Sequence, residues 1–191
     1  LRVHGIRTYS QTLEWKGPLV YRIDEGMEID SAPNVLGTVI NAQTLEHARP
    51  VSLSGIRRII LIENKANYES AVYQKDILYV FCHGFFSPKE LHFLKELGKI
   101  ADGEVEFLHW GDMDLGGIRI FLYNQSKLFP ELKPHRMDAA AYENAIAAGA
   151  GIPLEKEKRK KIEDMEAGPL DELKNCILEK GMEIEQESLL F

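Results

Sequence analysis

Three short apolar runs, Ile59 to Ile62, Ile77 to Cys82 and Val105 to Trp110, constrain the fold more than any other feature of this chain. Each is rich in β-branched and aromatic residues and lacks the alternation of a strand with one wet face. That is the pattern of strands buried on both sides. Helical patterns lie between and after the runs, so the chain reads as α/β, with a mainly parallel sheet flanked by helices.

The helices are marked at their ends. Ser87, Pro88 and Glu90 form a capping box with proline at the first helical position, and Leu91, Leu94, Leu97 and Ala101 recur behind it at helical spacing. Asp138 caps an alanine-rich helix ended by the Gly149 to Gly151 cluster, and Pro169 opens another that Gly181 stops. Between them, Glu155 with Arg159 and Glu157 with Lys161 make exposed pairs four residues apart. The chain before about Gly55 differs. It holds short extended patches (PLVYRI, GTVI), a short helix after Asn41, and turn signals at Gly17, Pro18, Asp24, Gly26 and Pro33. Residues 1–55 therefore read as a small α+β appendage, the end of an upstream domain, and residues 56–191 as the α/β domain proper.

With 191 residues, 45% apolar and 28% charged, the chain can build one substantial core. Its apolar stretches fall far short of the ~20 residues that span a bilayer. The opening LRVHGIRTYSQTLEW lacks the apolar core of a secretory signal, so a cytoplasmic protein without a membrane partner is expected. Two cysteines, Cys82 and Cys176, are too few for a disulfide framework and read as small core hydrophobes. Position 1 is not methionine, which points to a fragment of a longer protein.

The chemistry lies where the apolar runs stop. The first ends on Glu63, and the third leads into Asp112 and Asp114. Carboxylates gathered in one cleft repel one another and favour protonation unless a cation joins them. Three hard oxygen donors without His or Cys point to Mg2+ or Mn2+, as one or two ions. In extended backbone, residues two apart share a side, so Asp112 and Asp114 face one cation while Met113 turns into packing. Gly116 and Gly117 let the backbone turn sharply into a helix, IRIFLYN, whose N–H groups face the same edge. The interval from Glu63 to Asp112 holds a helix, the second run and the Ser87 helix. All three acids can therefore meet at the carboxyl edge of one sheet, where open α/β folds place ligands. The second run ends at a glycine loop, Gly84, beside His83, which either contacts a phosphate or is a plain surface group. Lys65 and Lys89 are candidate cations for the same phosphate.

An apolar strand ending in Glu63, a strand ending at Gly84 and a strand leading to Asp112, Asp114 and two glycines resemble the Toprim domain. That domain is shared by type IA and type II topoisomerases, bacterial-type primases, topoisomerase VI A subunits and several nucleases. The motif-level likeness runs from Ile56 to Tyr123. The longer wording IENKANYES, VFCHGFFSPKELHFLKEL and FLHWGDMDLGGIRIF is similar to the carboxyl-terminal region of the JetD family, the nuclease subunit of the Wadjet anti-plasmid system. This likeness continues through HRMDAAAYENA and EIEQESLL and covers most of the chain after about Val35.

The resemblance implies a Rossmann-like Toprim sheet in which Glu63, Asp112 and Asp114 form the metal-binding catalytic triad of a DNA-cleaving centre. Asn67 falls where some Toprim nucleases carry a further acid, and its amide is a weaker donor. Asn64 and Asn67 can instead hold the loop or a water. Glu187, with Glu185, either returns to the site or lies on a charge-rich terminal helix. The implied partners are double-stranded DNA, an SMC-type, condensin-like complex and a second copy of the chain.

Other classes stay open: a Toprim strand-passage subunit, whose tyrosine nucleophile would come from another domain, and a non-catalytic module that uses the acids for a structural ion. Tyr68, Tyr73 and Tyr79 read as packing rather than as such a nucleophile. A haloacid dehalogenase-type phosphatase ranks last, because Gly116 stands where that motif wants Thr or Val. The net charge of −7 disfavours tight DNA binding by this chain alone. The run of Lys156, Lys158, Arg159, Lys160 and Lys161 can track a phosphate backbone, but its interleaved glutamates also suit a solvated helix face. DNA affinity is therefore expected in an upstream domain, a dimer cleft or partner subunits.

Overall fold

The computed structural model describes residues 12–53 and 55–189, so residues 1–11, most of the stretch weighed against a secretory signal, lie outside it. The chain opens with β1 (Thr12–Lys16), β2 (Val20–Ile23), β3 (Glu28–Asp30), β4 (Thr38–Asn41), α1 (Ala42–His47) and β5 (Ala48–Ser52). The predicted α/β alternation follows: β6 (Arg58–Ile62), α2 (Lys65–Ser70), β7 (Ile77–Phe81), α3 (Pro88–Ile100), β8 (Glu106–Trp110) and α4 (Leu115–Lys127). Then come β9 (Lys133–Pro134), α5 (Ala139–Ala147), β10 (Ile152–Pro153), α6 (Lys156–Glu163), α7 (Asp171–Lys180) and β11 (Met182–Glu183), with a terminal 3-10 turn over Gln186–Leu189.

The central sheet has six strands in the order β4-β1-β7-β6-β8-β9. β6 is parallel to both β7 and β8, and β8 is parallel to β9, as the apolar runs predict. β1 adds antiparallel to β7, and β4 antiparallel to β1. The sheet thus extends across residue 55 into the amino-terminal segment. Smaller antiparallel sheets, β3-β2-β5 and β10-β11, sit beside it.

Register sorts the side chains onto two faces. Ile59, Leu61, Leu78, Val80, Phe107 and His109 share one face, which α3 and α4 cover. Phe93 of α3 stacks on Trp15, Phe129 stacks on Phe107 at 4.2 Å between centroids, and Phe121 of α4 meets the edge of His109. Burying these aromatic and branched side chains stabilises by roughly 2 kcal/mol each. Arg58, Ile60, Ile62, Ile77, Tyr79, Leu108 and Trp110 share the other face. There the cover includes the six-residue α2, tied down by the buried Lys16, whose ammonium donates to the carbonyls of Tyr68, Glu69 and Ala71.

Helix ends follow the expected chemistry. Ser87 and Glu90 exchange both bonds of the capping box, Asp138 caps α5, and Gly181 ends α7 in the left-handed conformation (φ 65°). Among the described residues no helix is long and apolar enough to cross a membrane. The parallel strands β6, β7 and β8 all stop at one edge, which brings Glu63, the Cys82 to Gly84 loop and the Gly111 to Asp114 loop together.

Candidate metal centre

Glu63 follows β6 directly, and its N–H continues the ladder by donating to the Trp110 carbonyl at 3.0 Å. That bond sets the Glu63 side chain against the loop after β8. A Cβ on Gly111 would clash with Glu63 Oε2 and sit 3.0 Å from His109 Nε2, so glycine there makes room for the carboxyl group. Glu63 Oε2 is buried and has no hydrogen-bond partner among the described residues. Burial first, then repulsion from Asp112 and Asp114, pushes the Glu63 carboxyl up to about 8. Asp112 is likewise raised, by burial and then by Asp114, Glu185 and Glu187, against the opposing bond from the Gln186 N–H.

The two aspartates lie just beyond β8 rather than within it. Met113 forms an isolated antiparallel bridge with Ile184, which keeps the backbone extended. The predicted alternation therefore holds: Met113 is fully buried, and the aspartates stay partly open. Asp114 is the N-cap of α4, its Oδ1 accepting from the Gly117 N–H at 2.7 Å. The glycine pair works differently from the sequence expectation. Gly116 and Gly117 lie inside the first turn of α4, not in a turn before it. A Cβ on Gly117 would collide with the Asp112 main chain, and one on Gly116 would press on the Asp114 carboxylate at 3.2 Å. Close approach, not a sharp turn, demands glycine. Gly117→Ala is expected to cost about 2 kcal/mol by overpacking, checked by chemical denaturation.

The carboxyl terminus returns to this edge. The Gln186 N–H donates to Asp112 Oδ1 at 2.7 Å, its Oε1 accepts from the Asn64 N–H at 2.8 Å, and its carbonyl accepts from Asn67 Nδ2 at 3.1 Å. One buried glutamine thus ties the loop after Glu63 to the aspartate loop. Glu185 and Glu187 flank it, exposed and near enough to Asp112 to raise its pKa.

Asn64 caps α2, its side chain accepting from the N–H groups of Ala66 and Asn67. Asn67 is fully buried, and its Oδ1 finds no partner among the described residues. His83 pairs with Glu90 Oε1 at 2.7 Å, a bond that raises the histidine pKa. Gly84 adopts φ 109°, open only to glycine without strain, with free space where a Cβ would stand. Neither predicted lysine points its charge at the acids. Lys65 is paired with Glu14 of β1 and lies over the Tyr68 and Phe81 rings, and Lys89 is paired with Glu46 of α1. Among the described residues, the cation that does reach the cleft is Lys158 of α6, 2.8 Å from Glu183 and 4.0 Å from Asp114 Oδ2.

Among the described residues no three His, Cys, Asp or Glu side chains stand close enough to share an ion. Like charges in one cleft separate, and Asp112 and Asp114 each hold a main-chain donor with one oxygen. The donor chemistry still fits a hard divalent cation. An orphaned buried carboxylate oxygen on Glu63 faces two further acids that raise its pKa, and these are the residues that would hold Mg2+ or Mn2+.

Residues 24–191 match the family described as Wadjet protein JetD, C-terminal. The chain belongs to that family. It is also 32% identical over 136 residues to the Wadjet protein JetD of Bacillus cereus (strain Q1), a match covering 69% of this chain and 33% of that protein. The chain thus spans about a third of the length of the curated relative. All three acids fall within the part that matches the JetD carboxyl-terminal family.

Three participants in the site of this JetD-family chain were not legible as such. Gln186 carries no charge and acts across more than a hundred residues of sequence, so nothing local marks it. Lys158 is hidden in a run of like residues. His109, fully buried with both ring nitrogens unpartnered among the described residues, is held neutral by burial, its pKa pushed down to about 3. Only its place in an apolar strand hinted that it is packed.

Proposed function

We propose that this chain carries the catalytic centre of a Toprim-type, Mg2+- or Mn2+-dependent DNA endonuclease. In that reading it belongs to the nuclease subunit of an anti-plasmid defence complex, to which an SMC-like motor delivers double-stranded DNA. One observation carries the reading: a buried Glu63 carboxyl, raised to about 8, faces Asp112 and Asp114 at the carboxyl edge of a parallel sheet. The match to the JetD carboxyl-terminal family supports the choice of substrate and partners.

When bound, one or two such ions would polarise the phosphate, acidify a water and offset charge on the departing 3' oxygen. The chain's own groups position and balance. Gln186 fixes the Asp112 carboxylate by its N–H, and Asp114 is fixed by capping α4. The amino-terminal end of α4 directs its dipole at the cleft, which favours a bound phosphate. Lys158 stays protonated, its pKa raised by Glu183 first and also by Asp114, and can meet a non-bridging oxygen. His109 stays neutral beneath Glu63 and adds no competing charge.

With a net charge of −7, the bulk of the duplex affinity is assigned to the rest of the protein and to its partners. The test is end chemistry. The full assembly, given closed circular plasmid and Mg2+, should leave 5' phosphate and 3' hydroxyl ends free of protein. Protein-linked ends would select a strand-passage enzyme instead, and intact plasmid would leave only the non-catalytic module.

A further inference from the structure

His109 is a polar side chain in the middle of an apolar strand. Its ring lies fully buried under α4, with the Phe121 ring 5.8 Å away between centroids, and neither ring nitrogen has a hydrogen-bond partner among the described residues. A buried polar group left without a partner is destabilising, so one kept directly beneath a cluster of acids calls for a reason.

Register supplies one. β6 and β8 pair Leu61 with His109, and the next residues on the same face of the two strands are Glu63 and Gly111. Gly111 has no side chain, so the Glu63 carboxyl can lean across it toward the imidazole. Glu63 Oε2 and His109 Nε2 both crowd the point where a Gly111 Cβ would stand, the nitrogen 3.0 Å from it. Each atom is buried, and each lacks a hydrogen-bond partner among the described residues. Other polar side chains on this face are already committed: the Cys82 thiol donates to the Gly84 carbonyl at 3.1 Å, and the Asn124 amide donates to Cys82 Sγ at 3.3 Å.

The three acids differ in how their oxygens are held. Asp112 Oδ1 accepts from the Gln186 N–H and Asp114 Oδ1 from the Gly117 N–H, both at 2.7 Å, so each aspartate has one oxygen fixed by a donor. The Asp112 N–H favours the ionised Glu63 carboxyl, yet Glu63 Oε2 itself takes no bond among the described residues. We infer that His109 is a positioning residue for Glu63, its Nε2–H donating to Glu63 Oε2 once that carboxyl holds a divalent cation. The inference rests on the reading of the three acids as a metal centre. A buried carboxylate with one oxygen on a cation still needs a donor for the other, and His109 supplies it. A neutral imidazole has one N–H, and placing it on Nε2 leaves Nδ1 bare in the core. Donors behind a ligand fix its orientation, and removing one lowers metal affinity about 10- to 100-fold.

The test is a calorimetric Mn2+ titration of the full-length protein and two variants. His109→Leu fills the place of the ring with an apolar side chain of similar size, so its thermal midpoint in EDTA should not fall. Its Mn2+ affinity should drop about 10- to 100-fold. His109→Gln carries an amide donor near the place of Nε2 and should bind Mn2+ as the wild type does. Equal affinity in wild type and His109→Leu overturns the inference and leaves the metal centre standing. So does an equal loss in both variants, since the shape of the ring and not its donor would then matter. A wild type that binds no Mn2+ overturns the inference and the metal centre together. Nitrogen-15 spectra of the His109 ring in Mg2+ require no variant to fold. Nε2 should carry the proton and Nδ1 be bare, and the reverse tautomer overturns the inference.

Discussion

Glu63→Gln is expected to stabilise the metal-free protein at pH 8 while reducing plasmid cleavage by the assembly about 1000-fold. The stabilising half follows from linkage. Burial and the two aspartates raise the Glu63 carboxyl from its ordinary 4.5 to about 8, so the folded state prefers the protonated form. A group raised in this way contributes fully below its unfolded value, and the contribution is lost as pH climbs through the folded one. The metal-free wild type should therefore lose on the order of 3 kcal/mol between about pH 4.5 and pH 8, a slope that the glutamine variant lacks. The neutral amide also brings a donor toward His109 Nε2, which has no partner among the described residues and lies with Glu63 Oε2 against Gly111.

Mg2+ should reverse the trend in the wild type. Ligating carboxylates must be deprotonated, so the rise in melting temperature on adding Mg2+ grows across the same pH window. Thermal melts from pH 4.5 to 8.5 in EDTA and in Mg2+ would read both effects. Wild-type and variant curves that run parallel in EDTA would remove the raised carboxyl, and with it the main support for the metal centre.

Gln186→Met should cost about 2 kcal/mol and weaken Mn2+ binding roughly 10- to 100-fold, although the residue touches no metal in the proposed set. Methionine keeps the volume of the buried side chain and deletes the acceptor for the Asn64 N–H, leaving a donor unsatisfied at the head of α2. The loop that carries Glu63 then loses its direct bond to residue 186, and only the Asn67 amide on the Gln186 carbonyl still ties α2 to it. The Gln186 N–H to Asp112 is kept, so any fall in affinity reports the Glu63 side of the clasp. Calorimetric Mn2+ titration measures it, and an affinity equal to wild type would make Gln186 a packing residue only.

Much of this was legible in the sequence because it is encoded over a few residues. Apolar runs without alternation became β6, β7 and β8, and Ser87 with Glu90 closed its capping box, since a cap needs only the next turn. Glu63 and the Asp112, Asp114 pair could be read as converging because parallel strands joined by helices end at one edge. Other features resisted for physical reasons. Thr12–Lys16 became an interior strand of the sheet, yet its charged Glu14 and Lys16 disguise it; Lys16 is buried only because α2 offers it three carbonyls. Lys65 and Lys89 looked like phosphate cations beside their motifs, but their charges are taken by Glu14 and Glu46, which come from the amino-terminal segment.

By itself, then, the sequence determined the parallel α/β character, the helix ends and the edge of the sheet at which Glu63, Asp112 and Asp114 are carried. Those depend on periodicity and on neighbours within a turn. Tertiary structure alone decided that the amino-terminal strands complete the sheet, that Gln186 clasps the acid loops, and that Arg58 and Arg136 share the wall of one groove. Strand order and long-range hydrogen bonds are settled by which surfaces bury one another, and no local pattern records that choice.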